Sequence, residues 1–158
     1  MPELPEAAMR VVDAAEGLGL TIEPTEFPEG TKTSADAAAA VGAKLAQIAK
    51  SLVFVVDDAP VLVLMAGDRR VDTDRLAAAL DAGSARRASL DECREATGYS
   101  AGGTPAFGHI RPMLVVADRS LLRNDEVWSA AGTPTTVYPI MLDDLVRAAN
   151  ATWVDVAE

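Results

Sequence analysis

Residues 98 to 109, GYSAGGTPAFGH, have the composition in this chain that most suggests chemistry by the main chain. They include four glycines, Pro105 and the only histidine, His109. Glycine lets another molecule approach the backbone closely, so adjacent Gly102 and Gly103 could present successive N–H groups to a carbonyl or a developing oxyanion. The alternative, commoner for a glycine-rich stretch taken alone, is a loop that reverses the chain under a sheet.

Lys50 is a second candidate, because it follows QIA and precedes the apolar run SLVFVV, at the predicted junction of a helix and a strand. Most lysines in such places extend into solvent. A lysine at a strand entrance can equally bind a phosphate or carboxylate, or lose its proton when desolvated. The sequence leaves these alternatives open, and it leaves His109 open between a structural role and a role beside an oxyanion-binding loop.

Cys93 is the single cysteine, so it has no partner for an internal disulfide. It lies in SLDECREATG, which predicts a short helix with Ser89 as N-cap and Glu92 at the reciprocal capping position, and we expect a thiol packed under that helix. A catalytic thiol would need a basic partner such as His109. One cysteine and one histidine are too few for an ordinary zinc site, and we expect neither a metal nor an organic cofactor.

Familiar catalytic motifs are absent from the sequence: it has no G-x-S-x-G, H-E-x-x-H, G-x-G-x-x-G or Walker pattern. The acidic pair at 57–58 is typical of a turn, and the pair at 143–144 favours the first turn of a helix. An enzyme built on this chain would therefore need little from side-chain nucleophiles.

The net charge of -10 argues against a nucleic-acid-binding domain of the usual basic kind, and we expect no DNA partner. The acidic excess lies at the two ends, since residues 32 to 111 contain ten acidic and ten basic side chains. Scattered solvated charges are the commoner outcome. A local basic surface remains compatible with this middle segment, built from Lys44, Lys50, Arg69, Arg70, Arg86 and Arg87.

The length of 158 residues predicts a single domain over 1–158 with its own core. No apolar run approaches the ~20 residues of a membrane span. The first residues lack the basic start and apolar stretch of a secretion signal, so we expect a cytoplasmic protein without a membrane partner.

The pattern predicts helices and strands interleaved without a regular βαβ rhythm, which favours an α+β domain with a mixed sheet. The strongest feature is a hairpin of runs 52–56 and 61–65 around DDAP, whose continuous apolarity indicates that both faces are covered. Helices are predicted over 5–18, from Thr33 or Ser34 to Gly42, directly after Gly42, from Asp72 or Thr73, from Ser89, and over 142–150; further strands are predicted over 113–118 and 135–140.

Four stretches, in this order, resemble the YbaK/EbsC family of aminoacyl-tRNA deacylases, also called the ProX-like or prolyl-tRNA synthetase editing-domain family. They are TKTSADAAAAVGAKLAQIAKSLVF, VLVLMAGDRRVDTDRLAAAL, REATGYSAGGTPAFGH and DRSLLRNDEVWSAAGTPTTVYPI. The resemblance extends from about Thr31 to Ile140. The helix-lysine-strand junction, the GG-x-P loop and the VW-x-x-AG segment carry it together.

This resemblance implies a mixed, partly barrel-like β-sheet with flanking helices, of the fold shared by YbaK and synthetase-associated domains. It implies hydrolysis of the ester that joins a wrongly attached amino acid to the 3′ end of tRNA. The substrate's own 2′-hydroxyl or thiol would assist the attack, which accounts for the absent nucleophile. Cysteine or alanine on proline tRNA is the expected substrate, and prolyl-tRNA synthetase is a candidate partner.

By the same resemblance, Lys50 would contact the terminal phosphate or ribose and would form the catalytic set with Gly102 and Gly103. The expected substrate-binding residues are Thr33, Thr104, Pro105, Gly108, His109 and Asp118. Two positions depart from the family pattern: Ala106 stands where relatives often have a second proline, and Thr104 stands where they have an aliphatic residue. Such a change near a pocket can alter which side chain is tolerated.

Two other functions fit the residues. The acidic charge and the altered loop would suit a non-catalytic module on the same fold that binds an amino-acid-like ligand or a synthetase. A small-molecule esterase using Cys93 or His109 is the other alternative.

Overall fold

The computed structural model describes residues 4–158 and contains two β-sheets with five helices around them. This confirms the expected α+β class with a mixed sheet. The helices are α1 (Glu6–Gly17), α2 (Ser34–Val41), α3 (Thr73–Ala79), α4 (Leu90–Thr97) and α5 (Leu142–Ala149). The strands are β1 (Thr25–Glu26), β2 (Ala49–Val56), β3 (Ala59–Ala66), β4 (Ala85–Arg87), β5 (Leu114–Asp118), β6 (Glu126–Ala130), β7 (Thr136–Met141) and β8 (Thr152–Val154).

The predicted hairpin, β2 and β3, forms the centre of the larger sheet, whose order is β4-β2-β3-β5-β8. Its turn is Asp57 and Asp58, with φ of 45° and 67°. Aspartate tolerates this left-handed region better than most residues, and two such residues in succession make the tight turn that suits a twisted hairpin. The Asp57 carboxylate accepts hydrogen bonds from the N–H groups of Gly83 and Ser84, which fastens the turn to the segment leading into β4.

Strand β3 is buried on both faces, as its continuous apolarity predicts. Within Val61–Ala66, the even-numbered side chains join the main core with α1, α4 and α5, and the odd-numbered ones join a second core with α3. This follows from the two-residue repeat of a strand. Each buried valine or leucine contributes about 1.5–3 kcal/mol, so the hairpin is the rigid base on which the site is built.

The smaller sheet, of order β1-β7-β6, is antiparallel and meets the larger sheet at the start of β2. The contact is a parallel bridge between Ile48 and Trp128. Helix α2 packs over this junction through Ala37 and Ala38, which cluster with Ile48 and with Val137 of β7. The junction leaves a cleft between the two sheets.

Helix ends follow the predicted capping residues. Thr33, Asp72 and Ser89 accept hydrogen bonds from first-turn N–H groups, and Gly42 and Gly98 end their helices in the left-handed conformation. A cap of this kind contributes ~1 kcal/mol. Four strands were not predicted: β1, β4, β6 and β8. Three of them have only two or three residues, which is too short to show a periodic pattern, and β6 lies in a segment whose pattern is mixed. The longest helix, α1, has 12 residues, and no helix in residues 4–158 could span a bilayer.

Candidate active site

A cleft of about 620 Å³ lies at the junction of the two sheets. Its walls come from the segment before α2, the start of β2, the residues after β3, the glycine-rich loop and strand β6. Among the residues predicted for the site, it brings together Thr33, Lys50, Gly102 and Thr104. The helix-lysine-strand junction and the glycine loop, fifty residues apart in the chain, therefore face one space.

The helix expected directly before Lys50 is only a 3₁₀ turn over Leu45–Gln47, and Lys50 lies within β2, opposite Met65 of β3. Its side chain is half-buried. Burial lowers the pKa of its ammonium group, Arg87 and Arg70 lower the pKa further, and Asp68 opposes the shift. Within the described chain no carboxylate lies within ion-pair distance of Lys50, so the ammonium is available to an anion.

The glycine loop forms a 3₁₀ turn over Ala101–Gly103. Gly103 donates its N–H to the carbonyl of Ser100 at 3.0 Å, which corrects the expectation that it offers a free donor. A Cβ at Gly103 would lie 2.4 to 2.6 Å from backbone atoms of Thr133, so this glycine permits close packing. Gly102 lines the cleft, and no hydrogen-bond acceptor for its N–H is found in residues 4–158, as is usual in the first turn of a helix.

The two threonines use their hydroxyls locally. Thr33 Oγ1 caps α2 by accepting from the N–H of Asp36 at 3.0 Å. Thr104 Oγ1 donates to the carbonyl of Ser100 at 2.8 Å and lies 3.4 Å from Cys93 Sγ. Both residues therefore shape the wall of the cleft, and Cys93 is a buried thiol under α4, as predicted.

Gly108 and His109 line a different cleft, next to α1 and α5, and the structure does not bring them to the large one. His109 donates from Nε2 to the carbonyl of Pro105 at 2.7 Å, which closes the loop on itself. Burial lowers the pKa of His109, although the Pro105 carbonyl partly opposes this. Pro105 is buried and does not line either cleft.

Asp118 was expected near the rim of the pocket, but its carboxylate is buried and used within the fold. It accepts hydrogen bonds from the N–H groups of Ser120 at 2.9 Å and Val156 at 2.8 Å. These bonds fasten the chain after β8 to the end of β5. The carboxylate is therefore not available at the cleft.

The cleft is basic although the chain is acidic. Four members of the basic surface considered from the sequence, Lys50, Arg69, Arg70 and Arg87, line it together with Lys32. The other two members do not line it, and Arg86 pairs instead with Glu92. Sequence reasoning did not assign Lys32 to the site, and only the fold shows that its side chain lies over Gly102.

The cleft residues that had not been predicted include Ser51, Trp128 and Ser129. The hydroxyls of Ser51 and Ser129 are buried, and neither has a hydrogen-bond partner among the described atoms. A serine inside the apolar run SLVFVV was the available signal for Ser51, because a buried strand residue with a hydroxyl needs a partner. No group of three or more potential metal-ligating side chains occurs in residues 4–158.

The sequence pattern of the family described as the aminoacyl-tRNA editing domain matches residues 28–148. The chain belongs to this family. The editing domain spans both halves of the cleft, from the N-cap of α2 to the end of the β6–β7 pair, so the cleft lies wholly within the matched region.

Relatives of the editing domain include the uncharacterized protein YwhH of Bacillus subtilis, 32% identical over 136 residues, which cover 85% of this chain and 86% of that protein. A solved structure of a proposed trans-editing enzyme for prolyl tRNA synthetase is 36% identical, covers 99% of both chains and has a TM-score of 0.93. The proline–tRNA ligase of Lactobacillus gasseri is 37% identical over 75 residues, which are 48% of this chain and 13% of the ligase. The matched segment is thus a small part of the ligase.

Proposed function

We propose that this protein is a trans-acting aminoacyl-tRNA deacylase, which removes a small amino acid such as cysteine or alanine from mischarged proline tRNA. The observation that carries the proposal is the position of the half-buried, unpaired ammonium of Lys50 in one cleft with Gly102, whose N–H has no acceptor in the described chain. Such a pair can hold an anion and polarise a carbonyl without a side-chain nucleophile.

The charge of the cleft suits the 3′ end of tRNA. Five basic side chains and one acidic one, Asp68, are among its described lining residues. The acidic excess of the chain lies elsewhere, so the body of a tRNA would be repelled while its terminal phosphates are attracted to the cleft. Few phosphates would then be neutralised, and binding should have a shallow salt dependence.

The proposed reaction is hydrolysis of the aminoacyl ester. Lys50 binds the terminal phosphate or ribose, and the Gly102 N–H donates to the ester carbonyl oxygen as negative charge develops on it. Water, assisted by the substrate's 2′-hydroxyl or thiol, attacks the carbonyl carbon and gives up a proton. The bond from that carbon to the ribose 3′ oxygen breaks, the oxygen takes a proton, and free amino acid and uncharged tRNA result.

The choice of proline tRNA rests on similarity alone. The chain resembles both a free-standing protein proposed to act in trans for prolyl tRNA synthetase and an internal part of proline–tRNA ligases. A protein of this net charge would bind tRNA weakly by itself, so we include prolyl-tRNA synthetase as a partner that delivers the substrate.

The test is single-turnover deacylation of a panel of labelled mischarged tRNAs by the wild-type protein, with binding measured on the same panel. The proposal predicts release of one or two small amino acids from proline tRNA. Saturable binding without release anywhere on the panel would contradict it and favour the non-catalytic module.

A further inference from the structure

A further cavity, of about 250 Å³, adjoins the large cleft behind the Lys50 strand. We call it the side chamber. It shares Ser51, Arg87, Leu90 and Ala101 with the large cleft as common walls, and its other walls are Val53, Ala88, Ser89 and Cys93. Because Ala101 and Ser51 flank Gly102 and Lys50 in the chain, the chamber lies next to the place proposed for the ester.

Most residues of the side chamber offer no free hydrogen-bonding group to a ligand inside it. Val53, Ala88 and Ala101 are apolar, and the Cys93 thiol is already close to Thr104 Oγ1. Ser89 uses its hydroxyl to cap α4. The Arg87 side chain is exposed to solvent, and its guanidinium lies 5.7 Å from the centre of the Phe54 ring.

Ser51 is the exception. Ser51 is 9% exposed and lines both the large cleft and the side chamber. Its hydroxyl has no hydrogen-bond partner among the described atoms. A buried hydroxyl left unpaired destabilises a folded protein, so one that faces a cavity suggests a ligand that pairs with it. Ser129 is less suited to this role, because its side chain is opposite Tyr138 across the β6–β7 pair.

We infer that the side chamber receives the side chain of the aminoacyl group, and that Ser51 selects a small side chain bearing a hydroxyl, of the serine or threonine type. A hydroxyl on the substrate would pair with Ser51, while the apolar wall would accept the remaining carbon atoms. A methyl group in the same place would leave Ser51 unpaired, and a site built this way rejects the analogue that lacks the hydroxyl. The inference rests on the proposed deacylase function, and it replaces cysteine or alanine, which were taken from similarity, by a hydroxyl-bearing side chain as the preferred substrate.

The experiment compares single-turnover deacylation of one tRNA carrying serine, alanine, threonine, valine or cysteine. Serine differs from alanine, and threonine from valine, essentially by the hydroxyl. We expect the wild-type protein to release serine faster than alanine and threonine faster than valine, each by about tenfold or more. In Ser51→Ala both ratios should fall towards one.

Ser84→Ala is the matched control, because Ser84 is exposed in the segment before β4 and lines neither cavity. It should keep both wild-type ratios. Thermal unfolding of Ser51→Ala should show a melting temperature equal to or above that of the wild type, since the change removes an unpaired buried hydroxyl.

Three results would overturn the inference while leaving the deacylase function intact. These are release of alanine or cysteine with no preference for the hydroxyl, unchanged ratios in Ser51→Ala, or an equal loss on all five substrates, which would assign Ser51 to a group common to them. No release from any of the five substrates by the wild-type protein would overturn the deacylase function itself.

Discussion

Arg123 forms a two-armed ion pair with Asp68 at the rim of the cleft, with distances of 2.9 and 2.7 Å between its terminal nitrogens and the two carboxylate oxygens. The pair lowers the pKa of Asp68, mainly through the hydrogen bonds from Arg123. Asp68 is the one carboxylate found among the described residues that line the cleft. The ion pair therefore engages the group that would otherwise compete with an incoming phosphate.

Arg123→Ala should weaken substrate binding without harming the chemical step. The freed Asp68 carboxylate would draw more strongly on the cations of the cleft and repel phosphate, so KM should rise about three- to tenfold with kcat little changed. Because the pair is solvent-exposed, the free energy of unfolding should change by less than about 1 kcal/mol. Steady-state kinetics at low salt is the measurement.

The control is Arg119→Ala, which breaks an exposed ion pair with Asp155 away from the cleft. Equal KM values in the two variants would contradict a role of the Arg123–Asp68 pair in substrate binding.

The two loop glycines should respond differently to alanine. Gly103→Ala places a Cβ against the Thr133 backbone, which cannot move easily, so the variant should lose about 1–3 kcal/mol of stability. The added Cβ in Gly102→Ala would lie 2.9 Å from the flexible stem of Lys32 and 3.5 Å from Pro134 Cβ, so the variant should fold almost normally while the approach to its N–H becomes narrower. Urea unfolding and deacylation rates, measured together, separate the two. A Gly102→Ala protein with both stability and full activity would argue against a backbone donor at this position.

Asp118→Ala should act on stability. The change leaves the N–H groups of Ser120 and Val156 without their acceptor, and hydrogen bonds to a buried charge are strong, so we expect a loss of about 2–3 kcal/mol in the free energy of unfolding. Denaturant unfolding tests this. If Asp118 contacted substrate instead, the variant would keep its stability and lose activity.

His109 should make the folded protein less stable in mild acid. Its pKa is lowered on folding, so the unfolded chain binds the proton more readily. Stability is therefore full above the ordinary value of 6.5 and falls as the pH decreases through the lowered folded value. Thermal unfolding at about pH 7.5 and about pH 5.5 should show a smaller difference in His109→Gln than in the wild type. Deacylation by His109→Gln should be unchanged at about pH 7.5, since His109 lines the other cleft. A large loss of rate would contradict this and indicate that His109 takes part in the reaction.

Local signals in the sequence were sufficient for most of the fold. The caps at Thr33, Asp72 and Ser89 and the hairpin around Asp57 depend on neighbouring residues, and all were predicted. The pairing of β5 with β8, and the bridge between Ile48 and Trp128, join segments far apart in the chain and have no local signature.

The residues of the site also divide into those with a local signal in the sequence and those whose role depends on the fold. Lys50 and Gly102 were identified because their chemistry is visible in their own segments. The free N–H belongs to Gly102, while that of Gly103 is used by Ser100, and this distinction depends on the exact course of one 3₁₀ turn. His109 is only six residues beyond Gly103, yet its side chain lines a different cleft. The chain changes direction at Gly108, which has a left-handed conformation, and His109 is hydrogen-bonded to the Pro105 carbonyl.

Lys50 is the central residue of the proposed site, and the most direct measurement is the single-turnover rate of Lys50→Ala on the best mischarged tRNA. Lys44→Ala is the matched control, since Lys44 is an exposed lysine in the same connecting segment and does not line the cleft. We predict a fall of about 100-fold or more for Lys50→Ala with an unchanged fold, and a near wild-type rate for Lys44→Ala. Equal rates for Lys50→Ala and the wild type would contradict the proposed site.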